Sequence, residues 1–365
     1  MHKIWINGRF LTQNITGVQR YAIEVVCALD ALSDSERGFS CELVIPKNAV
    51  IKTKIELKRV RVIRRGYFGG HFWEQFFLPI TFFLSRDVAI LLNLANTGPL
   101  LTKRQIVVIH DVAYFHNPRW FSWRFSFLYR KIIPLLAKRC RKILTDSSFS
   151  KNEILRYIPG VDTKVSVVFP GGVSTSAFKV ASGIANKVEA GRYVLAVSSI
   201  DPRKNFERLI KAFVKLKDID VNLLIVGAPN KVFGGQDLKA LISADSRIRF
   251  LGHLSDSALY DIYRNAQLFV YPSLYEGFGL PPLEAMSFGC PVLTSNLASI
   301  PEACSDGAYY VNPYDVDALS AAMRRLLEDI GLRKELVSKG YKNLRRFSWN
   351  TTAKNLSEEV RSACI

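Results

Sequence analysis

The sequence has no hydrophobic run long enough to cross a bilayer, although hydrophobic residues make up 48% of its 365 residues. Its most apolar stretches, residues 75–85 and 88–101, are shorter than the roughly 20 residues of a membrane-spanning helix. The charged residues Arg86 and Asp87 separate them. The start, MHKIWINGRF, lacks the charged and apolar regions of a signal peptide. We therefore expect a globular protein without transmembrane helices that works in the cytoplasm.

The chain also has few of the patterns that hold metals or disulfides. Its six cysteines are scattered, none forms a CxxC pair, and the five histidines do not cluster with them. Zinc sites and disulfide frameworks both depend on such spacing. The sequence therefore predicts neither of them, and it predicts no bound cofactor.

Acidic residues are few relative to basic ones. The chain has 50 Lys and Arg against 32 Asp and Glu, which gives a formal net charge of +18. Such a balance suits a polyanionic partner: a nucleic acid, an anionic membrane surface or a phosphorylated substrate. Charge alone leaves these three open.

What the chain has in abundance is short β-branched runs that alternate with helical patterns. We expect strands at residues 4–8, 42–46, 60–64, 88–94, 106–111, 142–147, 164–170, 193–199, 222–227, 248–253, 266–273, 291–296 and 308–313. Nearly continuous apolar strands between helices indicate buried parallel sheets with helices on both faces. The expected fold class is α/β with two doubly wound, Rossmann-like domains.

A stretch rich in Gly, Ser and Ala, residues 170–191, lies between the two series of strands and predicts a linker. We expect a first domain over residues 1–172 and a second over 173–345. A C-terminal helix at about 346–365 is expected to pack back on the first domain. Ligands of such sheets bind beyond the carboxyl ends of the strands, so a cleft between the domains is the expected site.

Residues 274–286, LYEGFGLPPLEAM, place two carboxylates on either side of a turn between a strand and a helix. Gly277 and Gly279 allow the backbone to approach a ligand, and prolines are tolerated in the first helical turn. We expect Glu276 before the turn, Glu284 in the first helical turn and an exposed Phe278. The carboxylates suit vicinal hydroxyls of a sugar or ribose. Alternatively, Glu284 only complements the helix dipole, worth about 0.3–1 kcal/mol, and Glu276 is solvated.

The longer stretch YPSLYEGFGLPPLEAMSFGCPVLTSN resembles the signature of the GT4 family of retaining glycosyltransferases, which have the GT-B fold. The family motif has two glutamates separated by seven residues, and Glu276 and Glu284 match them. Further similar blocks follow in family order at residues 16–21, 107–122, 144–154, 167–173, 197–213, 250–266 and 300–315. The pattern is most similar to bacterial mannosyltransferase-like members.

The resemblance implies roles for the residues of this turn. Glu276 would contact the donor sugar, Glu284 the ribose, and amides around Gly277, Phe278, Gly279 and Leu280 the sugar and phosphates. A retaining enzyme can use a carboxylate as nucleophile. The family is instead thought to use front-face attack, which makes Glu276 a binder and positioner.

Residues 198–205, SSIDPRKN, carry Arg203 and Lys204 in a turn after a strand, where two cations can neutralise a leaving diphosphate. Solvated basic residues are the alternative. Many relatives carry Arg where this chain has Ser199, so either Ser199 or Arg203 takes the phosphate contact. The resemblance also includes Gly252 in the nucleotide-sugar site.

In the first domain, the resemblance implies that His110, which precedes Asp111, contacts the donor sugar. A lone His is more often structural. Gly17 matches the family's glycine turn beside the phosphates, although it could equally start an ordinary helix that Thr16 caps.

No DxD pair lies beside these residues, so we expect no catalytic metal.

Two segments concentrate the positive charge: residues 47–66 hold eight Lys or Arg, and residues 123–144 hold seven. Their apolar neighbours, such as Trp123, Phe125 and Phe127, suit an anionic membrane surface. Helices with a solvated basic side remain the alternative, and no nucleic-acid module is recognisable.

These observations predict a metal-independent glycosyltransferase at the inner face of the membrane. It would move a hexose, with GDP-mannose as the expected donor, to a lipid-linked saccharide during surface polysaccharide assembly. One alternative is a nucleotide-sugar epimerase of the same fold, which would convert the donor without an acceptor. The other is a non-catalytic sugar-nucleotide binder, which would bind the donor without turnover.

Overall fold

The computed structural model describes residues 2–53, 55–173, 192–227 and 245–364. The chain divides into two compact units, residues 1–171 with 347–365 and residues 172–346. Residues 174–191 of the predicted linker lie outside the described residues.

The first unit is built on a parallel sheet with seven strands in its described part, in the order β3-β2-β1-β4-β5-β6-β7. The strands are β1 (His2–Asn7), β2 (Phe39–Ile45), β3 (Arg61–Arg64), β4 (Val88–Asn93), β5 (Gln105–Val108), β6 (Lys142–Thr145) and β7 (Val165–Val167). The helices are α1 (Gly17–Ala31), α2 (Asp34–Arg37), α3 (Gly70–Phe72), α4 (Leu78–Leu84), α5 (Ala113–His116), α6 (Trp123–Arg139) and α7 (Ser148–Tyr157). A π-helical turn, Trp73–Phe77, joins α3 to α4.

The second unit contains a parallel sheet of six described strands in the order β10-β9-β8-β11-β12-β13. The strands are β8 (Tyr193–Val197), β9 (Asn222–Val226), β10 (Ile248–Gly252), β11 (Leu268–Tyr271), β12 (Val292–Ser295) and β13 (Ala308–Val311). Its described helices are α8 (Phe206–Val214), α9 (Asp256–Asn265), α10 (Leu280–Ser287), α11 (Ile300–Cys304), α12 (Val316–Glu328) and α13 (Ile330–Leu344). Short 3-10 turns in the two units are Gly8–Thr12, Pro118–Trp120, Asp162–Lys164, Pro202–Lys204 and Ser305–Gly307.

The C-terminal helix α14 (Trp349–Cys364) belongs to the first unit. Its apolar residues Ala353, Leu356 and Val360 are fully buried in the same core as α1. A Cβ on Gly171 would lie 2.3 Å from the backbone nitrogen of Trp349, so only glycine allows the chain to pass the start of this helix. The last helix therefore completes the core of the first unit.

The sheet of the first unit has two apolar faces because side chains alternate along each strand. Ile4 and Ile6 face the core that contains α1 and α14. Trp5, between them, faces a second core under α4. Each fully buried side chain of this kind contributes about 1.5–3 kcal/mol.

Helix α6 lies on the same face of this sheet as α4. Leu91 belongs to the core under α4, and Asn93, two residues further, points the same way. Asn93 is the register partner of Val107, which belongs to the core under α6. The helices α4 and α6 therefore form one layer, and α1 and α14 form the opposite one.

The first basic segment, residues 47–66, packs on both faces of this sheet. Ile51, Ile55 and Leu57 lie on the α1 side, whereas Ile63 packs against the core under α4, on the face that also carries α6. Phe125 is partly buried, and its ring stacks on Tyr129 at 4.0 Å between centroids. Contact of the two segments with a membrane stays a prediction.

Each of the thirteen predicted strands is present in the described part of the chain, and the α/β fold class is confirmed. Several strands end earlier than predicted. The strand expected to reach Asp111 ends at Val108. Ile109 still donates its N–H to Leu144 and packs in the core under α6, and His110 and Asp111 follow it. Such residues, at the carboxyl ends of the strands, include the candidate functional side chains.

Candidate active site

The turn after β11 is shaped by Gly279, the residue before α10. Gly279 has φ +112°, a left-handed conformation that side chains disfavour, and an added Cβ would lie 2.7 Å from Ile300 Cδ1. Pro281 and Pro282 occupy the first turn of α10, where a missing N–H costs no helical hydrogen bond. Glycine and proline together therefore fix where the backbone stops extending and begins the helix.

Glu276 is buried beside Lys204 rather than solvated. Its Oε1 atom accepts hydrogen bonds from Lys204 Nζ at 2.6 Å and from Tyr271 Oη at 2.8 Å, and also from the Ser273 hydroxyl. Lys204 is itself buried, and its Nζ also donates to Tyr271 Oη at 2.9 Å. The two candidates therefore form one buried ion pair that Tyr271 and Ser273 support.

The electrostatics keep this carboxylate charged. Burial alone would raise the pKa of Glu276, but the positive charges of Lys204 and Arg203 hold it below its ordinary value. Burial and the neighbouring Glu276 carboxylate raise the pKa of Tyr271 well above its ordinary value, so its hydroxyl remains a donor.

The pair leaves hydrogen-bonding capacity unused. An ammonium group has three N–H donors. Within the described chain, Lys204 Nζ donates two of them, one to Tyr271 and one to Glu276. All three donors to Glu276 reach Oε1, and no described residue donates to Oε2. One donor and one acceptor are therefore available side by side.

Asn205 fixes the loop that carries Lys204. Its backbone is left-handed, with φ +62°, and its buried amide donates to the carbonyl oxygens of Pro272 (3.1 Å) and Pro313 (2.8 Å). These contacts tie together the loops after β8, β11 and β13. The sequence analysis missed this role, although asparagine is one of the few residues that tolerate this conformation.

Arg203 and Ser199 both contact Asp201. The Arg203 Nε atom lies 3.3 Å from Asp201 Oδ1, and the Ser199 hydroxyl donates to Asp201 Oδ2 at 3.0 Å. Asp201 therefore partly neutralises the charge of Arg203, so Arg203 is not simply a solvated cation.

Glu284 is the fifth residue of α10, so it lies in the second helical turn and not in the first. The helix dipole acts mainly within the first turn, which weakens the dipole interpretation. The Tyr263 hydroxyl donates to Glu284 Oε2 at 3.2 Å. Glu284 is partly buried and oriented by this tyrosine.

Phe278 is buried, which corrects the expectation that it is exposed. The hydroxyl of Ser299 donates to the carbonyl oxygens of Glu276 and Phe278, each at 2.9 Å. The Ser299 side chain thus fixes the backbone of the turn between Glu276 and Leu280, a role that the sequence did not predict. Gly277 lies in the same turn.

Gly252, at the end of β10, has φ +68° and open space where a Cβ would be. Its carbonyl oxygen accepts from the N–H of Gly227 at 2.9 Å. The structure therefore places Gly252 at the carboxyl end of a strand in the same sheet as β8 and β11.

In the first unit, His110 is buried two residues beyond β5. Its Nδ1 lies 2.6 Å from Asp146 Oδ2, and its Nε2 lies 3.1 Å from the carbonyl oxygen of Leu94. Both partners only accept hydrogen bonds, so the ring carries a proton on each nitrogen. Burial alone would lower the pKa of His110, but the Asp146 carboxylate and the Leu94 carbonyl raise it above its ordinary value.

Gly17 is the first residue of α1, and Thr16 precedes it as the N-cap. The backbone N–H of Thr16 donates to Gln19 Oε1 at 3.1 Å, as in a capping box. A Cβ on Gly17 would meet no atom within 4 Å. The start of this helix is capped as the sequence predicts.

Two features of the described residues bear on possible partners. They contain no group of three or more His, Cys, Asp and Glu side chains that could hold a metal ion. None of their helices is both long and apolar enough to span a membrane.

Comparison with known proteins shows which family this chain belongs to. Residues 180–343 match the family described as glycosyl transferases group 1. An O-antigen chain mannosyltransferase of Escherichia coli is 32% identical over 270 residues, which cover 71% of each chain. The chain belongs to this glycosyltransferase family. The predicted GT4-like relationship and the enzyme class are confirmed, and these relatives support neither an epimerase nor a non-catalytic binder.

Other relatives of this glycosyltransferase cover more of the chain. An O-antigen chain mannosyltransferase of Salmonella typhimurium is 27% identical over 88% of this chain and 90% of its own. Sucrose-phosphate synthase from Thermosynechococcus elongatus has a TM-score of 0.75 at 19% identity and covers 99% of both chains. A protein of Anabaena in complex with UDP and glucose has a TM-score of 0.72 at 18% identity, covering 99% of this chain and 100% of its own. These structures confirm the GT-B fold.

Proposed function

We propose that this glycosyltransferase moves a mannosyl group from GDP-mannose to a lipid-linked saccharide acceptor during assembly of an O-antigen type of surface polysaccharide. The names of the relatives from Escherichia coli and Salmonella typhimurium support the sugar and the type of product. Residues 173–345 would bind the donor, and residues 1–172 the acceptor.

The observation that carries this proposal is the buried pair of Lys204 and Glu276. The unused N–H of Lys204 would donate to a diphosphate oxygen, and its charge would stabilise the leaving nucleoside diphosphate. The Glu276 Oε2 atom would accept from a hydroxyl of the donor sugar. Because each group is already held by Tyr271, neither has to reorganise when the donor binds.

Glu276 acts in this proposal as a binder and not as a nucleophile. The ion pair lowers its pKa, and its Oε1 atom is occupied by three donors, so the carboxylate is a weak base. Retention at the anomeric carbon would follow from front-face attack, with a donor phosphate oxygen accepting the acceptor's proton.

The remaining candidates would complete the donor site. Glu284 would accept from ribose hydroxyls, and the amides of Gly277 through Leu280 would face the sugar and phosphates. Arg203, with Ser199 and Gly252, would border the diphosphate. His110 would contact the donor sugar by exchanging its bond to the Leu94 carbonyl for one to a sugar hydroxyl, and Gly17 would lie beside the phosphates. Protein cations would take the place of a metal.

Attachment to the inner face of an anionic membrane would bring the enzyme to its acceptor. The basic segment at residues 123–144 supports this part of the proposal, since each Lys or Arg near an anionic leaflet contributes about 1 kcal/mol.

A panel of nucleotide sugars in a thermal unfolding assay tests the donor. GDP-mannose at 100 times its Kd is expected to add about 2.7 kcal/mol to the free energy of unfolding. Transfer of radiolabelled mannose to a lipid extract from the source cells tests the reaction. Stabilisation by UDP-sugars alone would overturn the donor, and conversion of the donor without any acceptor would overturn the transfer reaction.

Lys204→Ala and Lys211→Ala form a matched pair for both assays. Lys211 belongs to the same unit and pairs with Glu207, but it is exposed. The Lys204 variant is expected to lose the response to GDP-mannose, and the Lys211 variant to keep it.

A further inference from the structure

The first unit exposes an apolar stripe along the helical segment from α3 to α4. Phe72, Phe76, Ile80 and Phe83 are spaced by four, four and three residues, so they lie on one side of the segment. Their exposed fractions are 51%, 55%, 58% and 77%. Monomeric proteins rarely expose so many adjacent large apolar side chains without a function.

A groove of about 500 Å³ runs beside this stripe. Phe76, Ile80 and Phe83 line one wall, and Leu101, which is 75% exposed, lines the other. Lys103 and Arg104 also line the groove, and the Arg104 guanidinium lies 5.0 Å from the centroid of the Phe82 ring. The groove therefore places basic side chains next to the apolar stripe.

Helix α6, in the same layer, exposes a similar mixture. Trp123 and Phe127 are 73% and 63% exposed, and Arg124, Arg130 and Lys131 on this helix are exposed as well. Arg139 Nη1 at the end of α6 donates to the carbonyl oxygen of Leu100 at 3.4 Å. This contact joins α6 to the wall of the groove, so the two helices contribute to one apolar–basic face, defined by residues 72–84, 101–104 and 123–139.

Accessible negative charge is nearly absent from this face. Residues 101–104 and 123–139 contain two and five Lys or Arg and no acid. The acid within residues 72–84 is Glu74, which is buried and paired with Arg9. The nearby Asp87 is paired with Lys3. An apolar centre bordered by positive charge complements the hydrocarbon and the anionic headgroups of a bilayer.

We propose that the apolar–basic face inserts into an anionic lipid bilayer, with Phe76, Ile80, Phe83 and Leu101 entering the hydrocarbon boundary. Arg124, Arg130 and Lys131 contact the headgroups. This inference rests on the membrane attachment in the proposed function and deepens it, because it moves the centre of contact from a basic segment to α4 and its groove. A second copy of the chain fits this face less well, since two such faces would repel each other.

The test compares three groups of variants in binding to vesicles of phosphatidylglycerol and phosphatidylcholine, and in insertion into monolayers of the same lipids. The apolar variant is Phe76→Ser, Ile80→Ser and Phe83→Ser. The charge variant is Arg124→Gln, Arg130→Gln and Lys131→Gln. The matched control, Ile330→Ser with Tyr341→Ser, changes exposed apolar residues of the second unit.

The apolar variant is expected to lose monolayer insertion and to bind vesicles at least about tenfold more weakly, because each inserted Phe or Ile contributes on the order of a tenfold gain in partitioning. Its residual binding should fall with salt. The charge variant should bind weakly at low salt, and the control should match the wild type. All variants should keep the thermal response to GDP-mannose, since none changes a donor-site residue.

Three results would overturn the inference and are distinguishable from one another. If the wild type binds anionic vesicles and the apolar variant binds and inserts equally well, the insertion face is wrong while the attachment stands. If the wild type binds no vesicle, the attachment itself is wrong, whatever the transfer assay shows. A wild-type dimer in sedimentation velocity that the apolar variant converts to a monomer would make this face a contact between copies and would also overturn it.

Discussion

Each of the two units buries an ion pair that contains a residue predicted for the site, and the two pairs differ in what they leave unused. In the second unit, Lys204 Nζ lies 2.6 Å from Glu276 Oε1, and a donor and an acceptor remain available. In the first unit, His110 Nδ1 lies 2.6 Å from Asp146 Oδ2, and its other ring nitrogen is bonded to Leu94. The Lys204–Glu276 pair can therefore bind a further group directly. Both ring nitrogens of His110 are already bonded, and the remaining Oδ1 atom of Asp146 is buried without a partner among the described residues.

The difference shows that a strand-end position and charge are insufficient to assign a role. Both pairs include a residue that the sequence analysis selected as a site residue. What distinguishes the two cations is that Lys204 has a donor left for a ligand, whereas His110 must first break a hydrogen bond.

The largest expected effect is on transfer by variants of the Lys204–Glu276 pair. Glu276→Gln or Lys204→Ala should lower kcat/KM by about 10²- to 10³-fold, because both groups stabilise charge that develops as the donor breaks. Initial rates of mannosyl transfer measure this effect. A well-folded variant with near-normal turnover would remove the pair from the proposed site.

Glutamine is the better substitution at position 276. Both glutamine and alanine remove the counter-charge of Lys204, and loss of one partner of a buried pair costs about 3–5 kcal/mol. Glutamine keeps a side-chain oxygen that can accept from Lys204, Tyr271 and Ser273, whereas alanine keeps no acceptor. Circular dichroism of both variants checks the distinction.

The His110–Asp146 pair should matter more for stability. Asp146→Asn leaves a doubly protonated imidazole without its counter-charge, so the free energy of unfolding should fall by about 3–5 kcal/mol. Urea unfolding measures the change, and His253→Ala, at an exposed histidine of the second unit, is the control. An unchanged urea midpoint for Asp146→Asn would show that the pair does not stabilise the fold.

The same pair predicts a pH dependence. The folded pKa of His110 is raised, so its contribution to stability is fully present below the unfolded value of about 6.5. The contribution is lost as the pH rises through the folded pKa. Unfolding experiments between pH 5 and about 9 should show this loss in the wild type and not in His110→Phe. Parallel curves for the two proteins would contradict the assignment of the proton.

The sequence predicted the strands because fully buried parallel strands carry continuous apolar runs, as in β4 and β5. It also selected Lys204, Glu276 and Glu284, because the resemblance brought them together. The strand predictions depend on local sequence pattern, and the site predictions depend on positions that match the family motif.

The sequence could not predict the partners that shape the site. Asp146 is 36 residues from His110, and Tyr271 is 67 residues from Lys204, so their contacts depend on how strands are ordered in the sheets. Phe278 was expected to be exposed, yet its side chain is buried. The position of Glu284 depended on where α10 begins, which pattern alone places to within a few residues.

Glu284→Ala should weaken binding of free GDP by about tenfold, the effect of losing one hydrogen bond to a charged group. Titration calorimetry measures this, and Tyr263→Phe should have a smaller effect in the same direction because Tyr263 only orients the carboxylate. Unchanged affinity for GDP in Glu284→Ala would leave the residue outside the nucleotide site.

The smallest effects are expected for Arg203 and for metal removal. Arg203→Ala should lower transfer only several-fold, because Asp201 already neutralises part of its charge. EDTA should leave the rate unchanged, since protein cations meet the diphosphate. Loss of activity in EDTA with recovery in magnesium or manganese would show that these cations are insufficient.

The most direct test of the account removes both charges of the Lys204–Glu276 pair at once, in the variant Lys204→Met with Glu276→Gln. Replacing a buried ion pair by uncharged groups of similar volume is often neutral or stabilising by about 1–4 kcal/mol. The account therefore predicts a variant that unfolds at the wild-type urea concentration or above and transfers no measurable mannose. A variant that transfers within tenfold of the wild-type rate would contradict it.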